Sequence, residues 1–179
     1  TEGKDFRETK QAAADAGTLA HDMVEADLYG ASFEIGGASK EAYEKAIGAF
    51  KAYQEWKRQT ALQVVESEVS LVSRVHGFGG TLDALLVQGA LSLGDWKTSN
   101  SIYADYLLQL AAYQILWEEA HPEQPVVGGF HLLRFSKQAD PGDPISFSHH
   151  YWSQLDVAKE QFLHSLAAYN LDKRIKALV

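Results

Sequence analysis

"GTLDALLVQGALSLGDWKTS", residues 80–99, decides the fold. Two apolar runs flank Gln88-Gly89, a pair suited to a tight turn between strands. The second run ends by delivering an acid, Asp95, and a base, Lys97, two residues apart. A strand running out to solvent would place them on one exposed face. A strand serving a site would do the same. If the two runs pair around Gln88-Gly89, Asp83 comes opposite Gly94 and Asp95, and two carboxylates crowd one end of the sheet. Asp83 lies amid Leu82, Ala84, Leu85 and Leu86, where an unpartnered charge is costly. Two arrangements relieve it. Asp83 forms a plain ion pair with Lys97, or the two carboxylates share Mg²⁺ or Mn²⁺ in a hard oxygen site.

Outward from the hairpin, the pattern is helical on both sides. Residues 6–28 are Ala-rich with Leu19, Met23 and Ala26 at helical spacing, and Gly30 ends the run. Ser39 is the expected N-cap of a second helix, "KEAYEKAIGAFKAYQEWKRQ". "LQVVESEVSLVS", residues 62–73, is a third β-rich run. Glu66 and Glu68 share a face there by the period of two, as a solvated surface or as further acids for a site. After the hairpin, residues 102–121 form a strong helix stopped before Pro122. Two more strands, 126–137 and 145–152, flank the turn "ADPGDP", and residues 153–178 close the sequence as a helix. The order predicts one α/β domain over 1–179 with a mixed central sheet, a helical part over 1–60 and a sheet core over 61–179.

Composition narrows the function classes. The chain has 179 residues and no cysteine, which excludes disulfides, thiolate zinc and Cys-ligated iron–sulfur clusters. No apolar run reaches the ~20 residues a membrane helix needs, and no signal-peptide pattern opens the sequence, so an intracellular protein without a membrane partner is expected, cytoplasmic if prokaryotic or phage-encoded. Thr1, not Met, comes first, which leaves room for a preceding segment. The net charge of −8 argues against a surface that coats nucleic acid non-specifically. It leaves open an enzyme whose acidic site is neutralised by divalent cations.

Two further elements carry polar groups of interest. His21 lies on the first helix, where Gly17 and Ala20 allow close approach of another element; a lone histidine on a helix is also a common surface or core residue. Gln109 and Tyr113 are i and i+4 on the third helix and project together, as a core Tyr with a Gln at its rim would.

The set "GTLAH" (17–21), "GTLD" (80–83), "DWKTS" (95–99) and "QLAAY" (109–113), in that order, resembles the PD-(D/E)XK nuclease superfamily. It is most similar to the RecB-like branch, which includes the RecB nuclease domain, CRISPR-associated adaptation nucleases and mitochondrial and phage exonucleases. The resemblance covers residues 17–113 and implies a restriction-endonuclease-like αβββαβ core. It implies Asp83 and Asp95 as metal-binding acids, His21 as the branch's extra ligand, and the Trp96 carbonyl as a contributor. Lys97 would be the catalytic lysine, Gln109 and Tyr113 would line the site, and Glu68 would match an acid upstream of Asp83. One or two Mg²⁺ or Mn²⁺ ions are implied, and the cysteines of the iron–sulfur relatives are absent. Asp95 stands where Glu is commoner.

The activity this implies is metal-dependent DNA exonuclease action on single-stranded ends, with a helicase or recombination protein as a possible partner. The alternatives are a structure-specific endonuclease on the same scaffold, a catalytically silent nucleic-acid-binding module, and an interaction protein with no site. Phe50, Tyr53 and Trp56 on the second helix would either stack unpaired bases or pack in the core.

Overall fold

The structure, a computed structural model, describes residues 6–33, 35–137 and 146–178. The turn "ADPGDP" lies outside the described residues. Four helices and five strands follow in the order α1 (Phe6–Tyr29), α2 (Lys40–Gln59), β1 (Gln63–Ser73), β2 (Phe78–Val87), β3 (Leu91–Lys97), α3 (Ala104–Ala120), β4 (Phe130–Phe135), β5 (Phe147–Trp152) and α4 (Asp156–Lys176). The sheet order is β1-β2-β3-β4-β5. β2 and β3 form an antiparallel hairpin, whereas neighbours β3 and β4 are joined through α3, the crossover that parallel strands require. The sheet is therefore mixed, as the element order predicts.

The chain packs as two compact units. The first draws on Thr1–Val64, Trp96–Ile102 and Leu132–His150. Ser39 caps α2, its hydroxyl accepting from the Ala42 amide at 3.1 Å. α2 buries a stripe of small residues, Ala42, Ala46, Ala49 and Ala52, and so offers a shallow face to α1, which buries Ala16, Leu19, Ala20, Met23 and Val24. Beyond that stripe Tyr53 and Trp56 meet Trp96 and Phe135, with 5.4 Å between the Trp56 and Trp96 ring centres and 5.9 Å between those of Tyr53 and Phe135. Tyr53 is fully buried, Trp56 is 2% exposed, and Phe50 stacks on Tyr53. Core packing has won at these positions. The α2 aromatics are not a platform for bases.

The second unit draws on Val65–Asp95, Tyr103–His131 and Tyr151–Val179. Its hairpin corrects the sequence reading by one residue. Ala84 pairs with Gly94, Leu85 with Leu93, and Val87 with Leu91. Three residues, Gln88 to Ala90, therefore make the loop, with Gly89 at φ +80°, a conformation that glycine adopts without strain. A two-residue turn at Gln88-Gly89 would have set Asp83 against Gly94. The added Ala90 moves the register so that the next pair beyond Ala84–Gly94 is Asp83 with Asp95. At the other end of β2, Glu119 of α3 accepts from the Arg74 and Val75 amides at 2.8 and 3.2 Å and pins the β1–β2 turn to the helix.

Two glycines in this unit differ in what they tolerate. A Cβ on Gly94 would sit 2.6 Å from Leu86 Cδ1, the far end of a flexible side chain. A Cβ on Gly129, at φ +87°, would sit 2.6 Å from the Trp152 backbone oxygen. Gly94→Ala should cost about 1–3 kcal/mol, as overpacked cores do. Gly129→Ala should cost more, because backbone strain adds to a clash that cannot move aside. Urea midpoints of the two variants give the comparison.

Tyr53 generates a second expectation. Its hydroxyl donates to Asp27 at 2.9 Å, and Lys57 holds the same carboxylate at 2.7 Å. Burial first, then the Asp27 hydrogen bond and charge, raise the phenol far above its ordinary value of 10. The fold thus favours the protonated form. That stability is fully present below pH 10 and is lost as pH climbs above it, because the unfolded phenol ionises first. Between pH 8 and pH 11 the wild type should lose more stability than Tyr53→Phe, measured by denaturant melts at each pH.

Candidate active site

Strand alternation divides the end of β3 between its two faces. Trp96 turns its ring into the aromatic cluster of the first unit, while Asp95 and Lys97 project the opposite way. Asp95 is fully buried and Asp83, its cross-strand partner, is 8% exposed. Deep placement of two facing carboxylates is the feature that solvent exposure cannot explain. The reading of β3 as a strand running out to water therefore fails at Asp95.

A third acid joins from β1. One carboxylate oxygen of Glu68 lies within 4.8 Å of one of Asp83. Glu68 has φ +54°, and among the described residues it alone of the non-glycines has positive φ. Left-handed backbone inside a strand is a local distortion, yet Glu66 and Glu68 are both exposed with Ser67 buried between them, as a period of two gives.

α3 closes the cluster. A Cβ on Gly80 would lie 3.3 Å from Tyr113 Cε1, so the glycine lets this ring come down onto β2. Gln109 Nε2 donates to the Tyr113 hydroxyl oxygen at 2.5 Å, which fulfils the i, i+4 expectation. Burial, and then the negative charges of Asp83, Asp95 and Glu68, push the Tyr113 phenol well above its ordinary range, against a small opposing effect of Gln109. Tyr113 thus stays protonated, its oxygen accepting from Gln109 and its O–H available to the acids. Tyr106 stands on the same helix face, seven residues before Tyr113 and three before Gln109. That spacing is the signal of Tyr106 in the sequence.

In the first unit, His21 Nε2 lies 3.2 Å from the Trp96 carbonyl oxygen. The close approach that Gly17 was expected to allow is realised: a Cβ there would stand 3.2 Å from Thr98 Oγ1. The second unit thus gathers Glu68, Asp83, Asp95, Gln109 and Tyr113, and the first gathers His21 with Trp96 on the strand that carries Lys97.

A mixed sheet with helices and acids converging at the end of a β-hairpin is the architecture of restriction-endonuclease-like α/β proteins. The chain belongs to the PD-(D/E)XK nuclease superfamily, whose family model matches residues 2–176. Among curated proteins none matches it. Its fold is similar to the crystal structure of a protein from Eubacterium rectale named provisionally as an exonuclease, with TM-score 0.52 and 15% identity over 84% of this chain. The chain spans 63% of that protein's length. A structure of LHK-Exo in complex with dAMP aligns with TM-score 0.34 and 17% identity, covering 94% of this chain and 97% of that one. Among the described residues, no helix is long and apolar enough to cross a membrane.

Nucleases of this superfamily use divalent metal ions, and the donors present fit one. Glu68 and Asp83 bring carboxylate oxygens within 4.8 Å of each other, and Asp95 is buried on the neighbouring strand; hard oxygen donors of this kind suit Mg²⁺ or Mn²⁺. Facing buried carboxylates oppose folding when nothing neutralises them. Asp95→Asn should therefore raise the melting temperature in chelator by a few degrees, roughly the effect of 1 kcal/mol. The same variant should lose most of the stabilisation that added Mn²⁺ gives the wild type. Thermal melts with EDTA and with Mn²⁺ read both signs.

Proposed function

We propose that the chain is a metal-dependent nuclease that hydrolyses phosphodiester bonds, and that it acts as an exonuclease on single-stranded DNA ends. The observation that carries this is the burial of Asp83 and Asp95 on the two strands of the β2–β3 hairpin, with a Glu68 carboxylate oxygen within 4.8 Å of one of Asp83. In this reading those three acids hold one or two Mg²⁺ or Mn²⁺ ions, joined by His21 and the Trp96 carbonyl. His21 Nε2 and the Trp96 carbonyl oxygen lie 3.2 Å apart, within hydrogen-bond distance, so the two ligand atoms that would join the acids stand together. The carbonyl can only accept, so the hydrogen bond has the histidine proton on Nε2, and ligation through that nitrogen would require it on Nδ1 instead. A bound ion supplies charge relief at the phosphate and a coordinated water of lowered pKa.

The other tasks fall to the chain's own groups. Lys97 follows Asp95 by two residues and shares its strand face, so its ammonium reaches the attacking water or a non-bridging phosphate oxygen. Tyr113 keeps its proton beside the acids, and Gln109 donates to its oxygen and holds the hydroxyl in place. Water gives up a proton to solvent as it attacks phosphorus, the P–O bond to the leaving sugar oxygen breaks, and that oxygen takes a proton back from solvent. The products are a phosphate monoester and an alcohol.

Preference for single-stranded ends is supported by the charge. A protein of net charge −8 lacks a broad basic face for duplex backbone, so phosphates must be tracked along a narrow passage. The provisional name of the Eubacterium rectale protein, an exonuclease, supports action at ends.

Cleavage of end-labelled DNA should require Mg²⁺ or Mn²⁺ and stop in excess EDTA, while Ca²⁺ should support binding with little turnover. Undiminished cutting in EDTA would overturn the metal-dependent reading. Linear single strands should fall to short products while circular ones survive; rapid nicking of circles would replace the exonuclease with an endonuclease. Asp83→Ala should lose both Mn²⁺ affinity and turnover, whereas Lys97→Ala should keep Mn²⁺ and lose turnover. Calorimetric titration with Mn²⁺ separates the two. Equal loss of metal in both would show the division of roles to be wrong.

A further inference from the structure

α3 begins in a way that its own stability does not favour. Helix N-caps prefer Ser, Thr, Asp or Asn, whose side chains satisfy the first free amides. Here the N-cap is Tyr103, with no side-chain cap hydrogen bond. Residues of the preferred kind, Ser99, Asn100 and Ser101, lie just upstream, where Ser99 Oγ donates to the Ser101 carbonyl at 2.7 Å and stitches the approach to itself. Tyr103 is 52% exposed, and its ring meets that of Tyr106 edge-on, with centres 5.5 Å apart and planes at 85°. An aromatic pair held at a right angle, one ring open to solvent, is neither a core contact nor a cap. An uncapped helix start that carries a solvent-open ring breaks a local rule, and such places are where function is to be sought.

The position of the pair says what it serves. Tyr106, Gln109 and Tyr113 are i, i+3 and i+7 on one helix face, and Tyr113 lies against the charges of Asp83, Asp95 and Glu68. Two turns of helix, about 10 Å, separate Tyr106 from Tyr113. The tyrosine pair thus stands on the face that carries the acids' partner, one step removed from them. Asp105 in the first turn of α3 makes this helix end a poor place for a phosphate, so the ligand moiety must be uncharged and flat.

We propose that Tyr103 and Tyr106 form a stacking subsite for one unpaired nucleobase, beside rather than at the bond to be cut. The inference rests on the nuclease reading and adds the element that holds the strand. Stacking on an aromatic ring is tolerant of base identity and needs the base to be unpaired, so the subsite favours single strands over duplex without reading sequence.

The test is binding of fluorescein-labelled oligothymidylate, followed by anisotropy with Ca²⁺ in place of Mg²⁺, for the wild type, Tyr103→Ala, Tyr106→Ala and the two Tyr→Phe variants. Each alanine variant should weaken binding roughly tenfold, within the range that base–aromatic contacts give. Each phenylalanine variant should bind as the wild type does, and circular dichroism establishes that all are folded. A strand of abasic sugar-phosphate should bind wild type and alanine variants alike. Unchanged affinity in both alanine variants, or an equal loss on the abasic strand, would overturn the subsite. Cleavage in Mn²⁺ is scored separately: a wild type that binds with the predicted tyrosine dependence but does not cut would keep the subsite and sink the nuclease reading.

Discussion

Two carboxylates face each other across β2 and β3, and most of this molecule can be understood as the means of keeping them there. Asp83 and Asp95 are buried among leucines, where like charges repel with little water to screen them. No fold selected for stability alone places them so. The hairpin register brings them together, α3 lays Tyr113 against them with Gln109 behind it, and Glu68 enters from β1 at a distorted residue. The aromatic core under α2 anchors the same strand from its other face through Trp96. Along β3 strand alternation thus gives Trp96 to packing and Asp95 to charge.

That division explains why the fold was so legible. α1, α2 and α3 announced themselves by apolar periodicity and by end signals such as Ser39 and Pro122, all of which are local chemistry. The family resemblance was legible for a related reason: a site of this kind needs its acids and lysine at fixed spacing on consecutive strands, and spacing is what a sequence displays directly.

What escaped was set by non-local geometry. Whether the hairpin loop has two residues or three depends on which pairing buries the better faces, and Gln88-Gly89-Ala90 permits either in isolation. The left-handed turn of the backbone at Glu68 has no signature, since glutamate is not a residue that prefers it. Tyr53 and Trp56 carried the right residue types for base stacking and for core packing alike; only their burial decides between these. Tyr103 and Tyr106 were passed over because an aromatic at a helix start looks unremarkable until its cap is found to be missing.

Glu68 carries a consequence for anyone who would improve this protein. Its φ of +54° is a conformation that glycine or asparagine would occupy at lower energy. Selection for heat resistance alone would drift toward those residues, and each step would remove a carboxylate from beside Asp83. On the proposed reading, a single dihedral angle therefore sets durability against chemistry.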